Sequence, residues 1–178
     1  MLKIIEHIKR RRIKNGGKQV EALRAFTPMK HARTLAVLYR ADLENAEALT
    51  KKLQEFCRAN HLKLFTFGYF DDKELNTPLI PTATQDFFCN KHLDFFKLPH
   101  KTEFQRFSTE KFDYLLNLYS KPCLPLLGIS AFAEAAFRVG PHWPAYSFCF
   151  DLMLETDKTD LMHFTDEVLI YLKNFGNG

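Results

Sequence analysis

A chain of 178 residues, 46% hydrophobic and 26% charged, is long enough for one globular domain with a sizeable core. No run approaches the ~20 apolar residues of a membrane span, and MLKIIEHIKRRRIK (1–14) breaks any secretion signal with charge, so a cytoplasmic protein is expected. The net charge of +4 hides an asymmetry: residues 1–33 carry ten Lys or Arg against Glu6 and Glu21, a net of +8, and the remainder carries a net of −4.

Residues 2–14 read as an amphipathic helix, because Leu2, Ile4, Ile5, Ile8 and Ile13 fall within about half of the helical wheel. Gly16-Gly17 should end or hinge it, with a second short helical piece from Lys18 to Ala25. Thr27-Pro28 marks a break, so residues 1–33 form a basic N-terminal helical arm and residues 34–178 an α/β domain.

TLAVLYRA (34–41) is a nearly continuous apolar run, the pattern of a strand buried on both faces. Asp42 is expected to cap a helix whose stripe is Ala46, Leu49, Leu53, Phe56 and Cys57, stopping near Asn60. LKLFTFGYF (62–70) follows as a second strand, completing a βαβ unit. Residues 71–104 are punctuated by Pro78, Pro81 and Pro99 and predict an irregular segment with one short strand around 94–98.

FDYLLNLY (112–119) is the next buried strand, and a helix runs from about Pro122 to Ala135 with Leu124, Leu127 and Phe132 inward. AFRVG (136–140) and SFCFDLMLE (147–155) read as strands, one of them an antiparallel edge, before a closing helix capped near Asp157 or Thr159. The order of elements predicts a single Rossmann-like three-layer α/β domain with a mostly parallel sheet. Eighteen phenylalanines against one tryptophan predict a Phe-rich core, the alternative being an exposed aromatic platform that stacks bases or sugars. Cys57, Cys89, Cys123 and Cys149 lack the close spacing of zinc ligands and are expected to be buried thiols.

The stretch EKFDYLLNLYSKPCLPLLGISAFAEAAFRVGP (110–141), behind a basic N-terminal helix and a first βαβ unit, resembles a family of short uncharacterised α/β proteins from Bacteroidota. That resemblance implies the fold and carries no activity and no functional residues. Phe112-Asp113 and Arg138-Val139-Gly140 are also similar in order to the N-terminal half of bacterial heptosyltransferases. Those enzymes need two nucleotide-fold domains, and this chain has room for one.

The first βα junction, Tyr39-Arg40-Ala41-Asp42-Leu43, contains no glycine, so dinucleotide and P-loop binding lose their usual mechanism, and no cofactor is expected. Gly128-Ile129-Ser130-Ala131-Phe132 has Phe where a nucleophile elbow needs its second glycine. The seven histidines form no metal-binding pair. No constellation identifies a reaction.

Two readings stand. In the first, Lys9, Arg10, Arg11, Arg12, Lys14 and Lys18 bind RNA or a ribonucleoprotein through phosphates, with an anionic membrane surface as a variant. In the second, Asp71, Asn117 and Ser120 line a ligand-binding crevice of a small enzyme or binding domain, since parallel sheets present ligands at the carboxyl ends of their strands. The competing structural roles are a solvated turn for Asp71-Asp72 and helix capping for Asn117 and Ser120.

Overall fold

A computed structural model of the chain describes residues 2–18, 26–75, 81–100, 107, 109–155 and 160–174. Six strands form one sheet: β1 (Thr34–Arg40), β2 (Lys63–Phe70), β3 (Gln85–Cys89), β4 (Phe112–Leu118), β5 (Ala135–Pro141) and β6 (Leu152–Leu154). Their spatial order is β3-β2-β1-β4-β5-β6, and every neighbouring pair is parallel. The expected antiparallel edge is absent from these six strands.

The helices are α1 (Leu2–Lys18), α2 (Ala46–Ala59), α3 (Leu124–Phe132) and α4 (Leu161–Asn174). Period-two alternation along β1 sorts them onto two faces. Leu35, Val37 and Tyr39 join Leu49 and Leu53 of α2 and Phe164 and Val168 of α4 in one core, and Ala36 and Leu38 join Leu126 and Ile129 of α3 in the other. The second core carries much of the phenylalanine: Phe67 stacks between Phe88 at 4.8 Å and Phe107 at 5.3 Å. Helix α1 lies outside these layers, packed on α3 and on the 3-10 turn Pro144–Cys149. None of the described helices is long and apolar enough to cross a membrane.

Several local expectations give way to tertiary contacts. Helix α1 continues through Gly16-Gly17 to Lys18; two glycines cost about 1 kcal/mol each in helix propensity, which docking on α3 offsets. The proposed helical piece from Lys18 to Ala25 lies, beyond Lys18, outside the described residues. Asp42 does not cap α2; Asn45 occupies that position, and the Asp42 carboxylate accepts from Arg40 instead. The short strand of the irregular segment is Gln85–Cys89, paired to β2, not 94–98. Residues 93–99 double back in a tight turn, with Leu93 and Pro99 bridged antiparallel and Lys97 at φ 62°.

The strand expected over 147–155 shrinks to Leu152–Leu154, because Tyr146 and Cys149 turn inward from a 3-10 segment that follows Trp143-Pro144. Helix α3 stops at Phe132, since Ala133 is already extended at ψ 139° on the way into β5. Asp160 accepts the first N–H groups of α4, from Met162 at 2.8 Å and His163 at 3.2 Å, while Asp157 and Thr159 lie outside the described residues.

The two motif residues of the middle segment are structural. The Asp113 carboxylate accepts from Arg33 N–H at 2.7 Å, Thr34 N–H at 2.9 Å and the Thr34 hydroxyl at 3.0 Å, which stitches the amino ends of β1 and β4 together. Arg138 is fully buried, and its guanidinium donates to the carbonyls of Ser130 at 3.0 Å and Ala133 at 2.6 Å. It therefore satisfies orphan carbonyls at the end of α3, where a cation also suits the helix dipole. Gly140 follows because a Cβ there would meet the Phe150 ring at 2.5 Å.

Candidate functional site

Among the described side chains of α1, Ile13 is the buried anchor. Ile13 is 0% exposed among Leu127 and Ala131 of α3 and Tyr146 and Cys149, while Ile8 stays 39% exposed. Positions 8 and 13 are about 140° apart on the wheel, so a helix docked on one side buries only one of them. Of the expected apolar face, Ile8 and Ile13 are thus separated, and the side chains of Leu2, Ile4 and Ile5 lie outside the described residues. Arg10, Arg11 and Lys14 are exposed, Lys9 is half-buried, and none of these four pairs with a described carboxylate. The Lys18 side chain lies outside the described residues.

Arg12 behaves differently from its neighbours. Its guanidinium sits 3.9 Å over the Phe96 ring and 3.6 Å from Asp94, tying α1 to the 94–97 turn. Asp94 builds that turn: its carboxylate accepts from Phe96 N–H at 2.8 Å and Leu98 N–H at 3.0 Å, and its carbonyl accepts from Lys97 N–H at 2.9 Å. Phe96 packs toward the α1 and α3 contact, whereas Phe95 is 86% exposed. Arg12 thus links one flank of α1 to this turn.

A concavity lies where the strand order reverses, between the carboxyl ends of β1 and β4, the position at which parallel sheets hold ligands. It encloses about 260 Å³ and is lined by Arg40, Tyr69, Asp71, Asn90, Lys97 and residues 122–125. Its polar groups bind one another. Arg40 donates to Asp42 at 2.7 and 2.5 Å and stands 3.7 Å from Asp71. The Tyr69 hydroxyl donates to Asn90 at 2.7 Å, and Asn90 donates to Asp71 at 3.2 Å.

The start of α3 offers this crevice little. Pro125 has no N–H, and the Cys123 carbonyl takes the N–H of Leu127 at 2.9 Å. Burial pushes the Cys123 thiol up to about 11, against the opposing pull of Arg40, so it rests protonated at neutral pH.

Of the expected crevice residues, only Asp71 lines the cavity. Asn117 is fully buried inside β4, donating to the Val139 carbonyl at 3.1 Å and accepting from the Tyr119 hydroxyl at 3.1 Å. Ser120 is exposed just past β4 and is not among the lining residues. Ser130 lies inside α3 at 0% exposure, away from any nucleophile elbow. All four cysteines are buried thiols, and no cluster able to hold a metal ion occurs among the described residues.

Sequence reasoning missed Arg40, Tyr69, Asn90 and Lys97 as crevice residues. The carboxyl ends of β1 and β2 were a usable signal for the first two, and the tight turns carrying the others were not legible. Another depression, of about 570 Å³ at the opposite end of the sheet, is lined by Lys30, Arg33, His61 and Lys173 among others. It receives the carboxyl ends of α2 and α4, whose carbonyls Lys30, Arg33 and Lys173 complement, and Lys173 lies 5.5 Å over Phe56.

No curated protein and no solved structure matches the chain. Residues 6–175 match the profile of a family of unknown function, DUF6913, and the chain belongs to that family.

Proposed function

We propose that this is a non-catalytic binding protein whose helix α1 holds RNA, alone or within a ribonucleoprotein, through its phosphates. The observation that carries the reading is the docking of α1. Burial of Ile13 and the Arg12 contacts hold the helix against the body, while Arg10, Arg11 and Lys14 are left facing water with no described carboxylate to neutralise them. A run of cations on a fixed helix is a preorganised phosphate contact, and neutralising phosphates releases their counterions. The membrane variant would use Leu2, Ile4, Ile5 and Ile8, of which Ile8 is exposed and the other three side chains lie outside the described residues.

The test is an anisotropy titration with RNA over a range of salt concentrations. Affinity should fall steeply with salt for the parent protein. Arg10→Gln, Arg11→Gln and Lys14→Gln together should flatten the log–log slope by about 2, at roughly 0.7 per lost phosphate contact on single strands. Arg12 is left out because its loss would mix charge with packing. No binding at low salt, or a triple variant identical to the parent, would overturn the proposal.

A further inference from the structure

We infer that the depression at the amino ends of the strands binds a small anion of the diphosphate class, held by Lys30, Arg33 and His61. None of its described lining residues belongs to α1, so the inference does not depend on RNA binding there.

The described lining includes Lys30, Arg33, His61 and Lys173 and no carboxylate. These residues converge from four places in the chain: the 3-10 turn Met29–His31, the residue before β1, the residue after the Asn60 cap of α2, and the last turn of α4. Lys30 and Arg33 are exposed, and neither pairs with a described carboxylate. Asp113, which lies beside Arg33, directs its carboxylate to the N–H groups of Arg33 and Thr34 and to the Thr34 hydroxyl.

The helix ends do not use up this charge. Two helix carboxyl ends carry roughly −0.5 each, against full positive charges on Lys30, Arg33 and Lys173. The balance stays positive even with Asp113 counted. At α2 the terminal carbonyls are already taken. Phe56 accepts from the Asn60 N–H at 3.1 Å and the Asn60 side-chain amide at 2.7 Å, and Cys57 accepts from the Leu62 N–H at 2.9 Å. Lys30 and Arg33 therefore keep their donors for a ligand. Cations gathered around a concave surface suit a compact, multiply charged group, and about 570 Å³ is the size of a small-molecule site.

The backbone at His61 points the same way. It adopts φ 56°, with its own N–H on the Arg58 carbonyl and the next N–H returned to Cys57. A helix closed by this pair of bonds favours glycine at the left-handed position, because glycine has no Cβ to clash. Histidine there lowers stability relative to glycine, and it does so at the rim of a cationic depression. Backbone strain of this kind collects where a side chain meets a ligand. An imidazole N–H is a suitable donor to a phosphate oxygen.

The experiment is a calorimetric titration of the full chain with inorganic pyrophosphate, at an ionic strength held constant with chloride. The parent should bind it saturably at one site, and more tightly than inorganic phosphate. Lys30→Gln and Arg33→Gln should each weaken binding by about tenfold, the usual loss of a charge-assisted hydrogen bond, with little change in melting temperature. The α1 triple variant should bind pyrophosphate as the parent does. His61→Gly should raise the melting temperature and weaken binding together, a pairing that a purely structural histidine would not give. The absence of saturable heat would overturn the inference, as would unchanged binding in Lys30→Gln and Arg33→Gln. A His61→Gly chain that is no more stable, or that binds as tightly, would overturn it too. Loss of pyrophosphate binding in the α1 triple variant would move the anion to α1 and overturn only this second site. An Arg33→Gln chain that loses affinity for RNA, with no pyrophosphate binding in the parent, would make the depression part of the RNA surface and overturn the small ligand.

Discussion

The carboxyl-end crevice and the outer face of α1 are both rich in charge, and they use it in opposite ways. At the crevice, Arg40 is engaged by Asp42 and Asp71, and Tyr69, Asn90 and Asp71 close a ring of hydrogen bonds. Farther along the sheet, the Arg138 guanidinium is turned entirely onto backbone carbonyls and toward Asp151, 4.0 Å away. On α1, Arg10, Arg11 and Lys14 point into water. A ligand entering the crevice must compete with bonds already made, whereas a phosphate approaching α1 displaces only counterions. Position at a switch point makes a crevice a good place for a ligand, but it is unsatisfied charge that marks a surface as available.

If this contrast holds, inward cations support stability and outward ones support binding. The largest effect is expected at Arg138. Replacing it with Met strips the α3 carbonyls and Asp151 of their buried partner, a change that typically costs about 3–5 kcal/mol. The melting temperature should fall on the order of 10 °C for a chain of this size. RNA affinity, measured below the new transition, should not change. A stable variant that lost RNA binding would break the comparison, because it would put an inward cation in the binding surface.

Ile13 joins the two regions and should affect both. Ile13→Ala removes a fully buried side chain from the contact between α1 and α3, and such truncations cost about 2–5 kcal/mol. The loss should fall on the docked helix rather than on the sheet. Hydrogen exchange would then quicken in the α1 amides while those of β1 and β4 keep their protection. RNA binding should weaken without a change in salt slope, since the cations remain but are no longer held in register. Uniformly faster exchange across the sheet would show that α1 is part of the cooperative core and not a docked appendage.

The central strands were legible because parallel strands buried on both faces must read as apolar runs, and TLAVLYR, KLFTFGYF and FDYLLNL do. The edge strand Gln85–Cys89 was not, because only Phe88 and Cys89 are buried and it carries half a signal. Asp113 and Arg138 stood out within a distinctive segment, but their roles could not be read. Their partners are mostly backbone groups, and for Asp113 these lie 79 or 80 residues away in sequence. The candidate interface was half visible. The charge of α1 is a matter of counting, yet within Lys9-Arg10-Arg11-Arg12 nothing distinguishes the arginine that braces the turn until the helix phase is set by docking. The same holds for Phe95-Phe96, where one ring turns in and one turns out only because Asp94 folds the chain between them.

The smallest expected effect lies in the crevice and probes the inward half of the comparison. Burial alone would raise the Asp42 carboxyl, but hydrogen bonds and charge from Arg40, with the N–H of Asp71, outweigh it and hold the group below the usual carboxylate range. A carboxyl lowered by folding adds stability above its unfolded value, and that contribution is lost as pH falls through the lowered folded value. Asp42→Asn should therefore cost at most about 1 kcal/mol at neutral pH, because the pair is partly exposed and screened. The difference from the parent should shrink steadily as the pH drops below about 3.9, where the unfolded carboxyl is protonated. Urea midpoints at neutral and acid pH measure this directly. RNA binding by Asp42→Asn should match the parent at every salt concentration, since Arg40 stays facing Asp71 and is not released to the surface. A gain in RNA affinity would show that Asp42 had been masking a phosphate contact at Arg40, and the crevice would then belong to the same binding surface as α1.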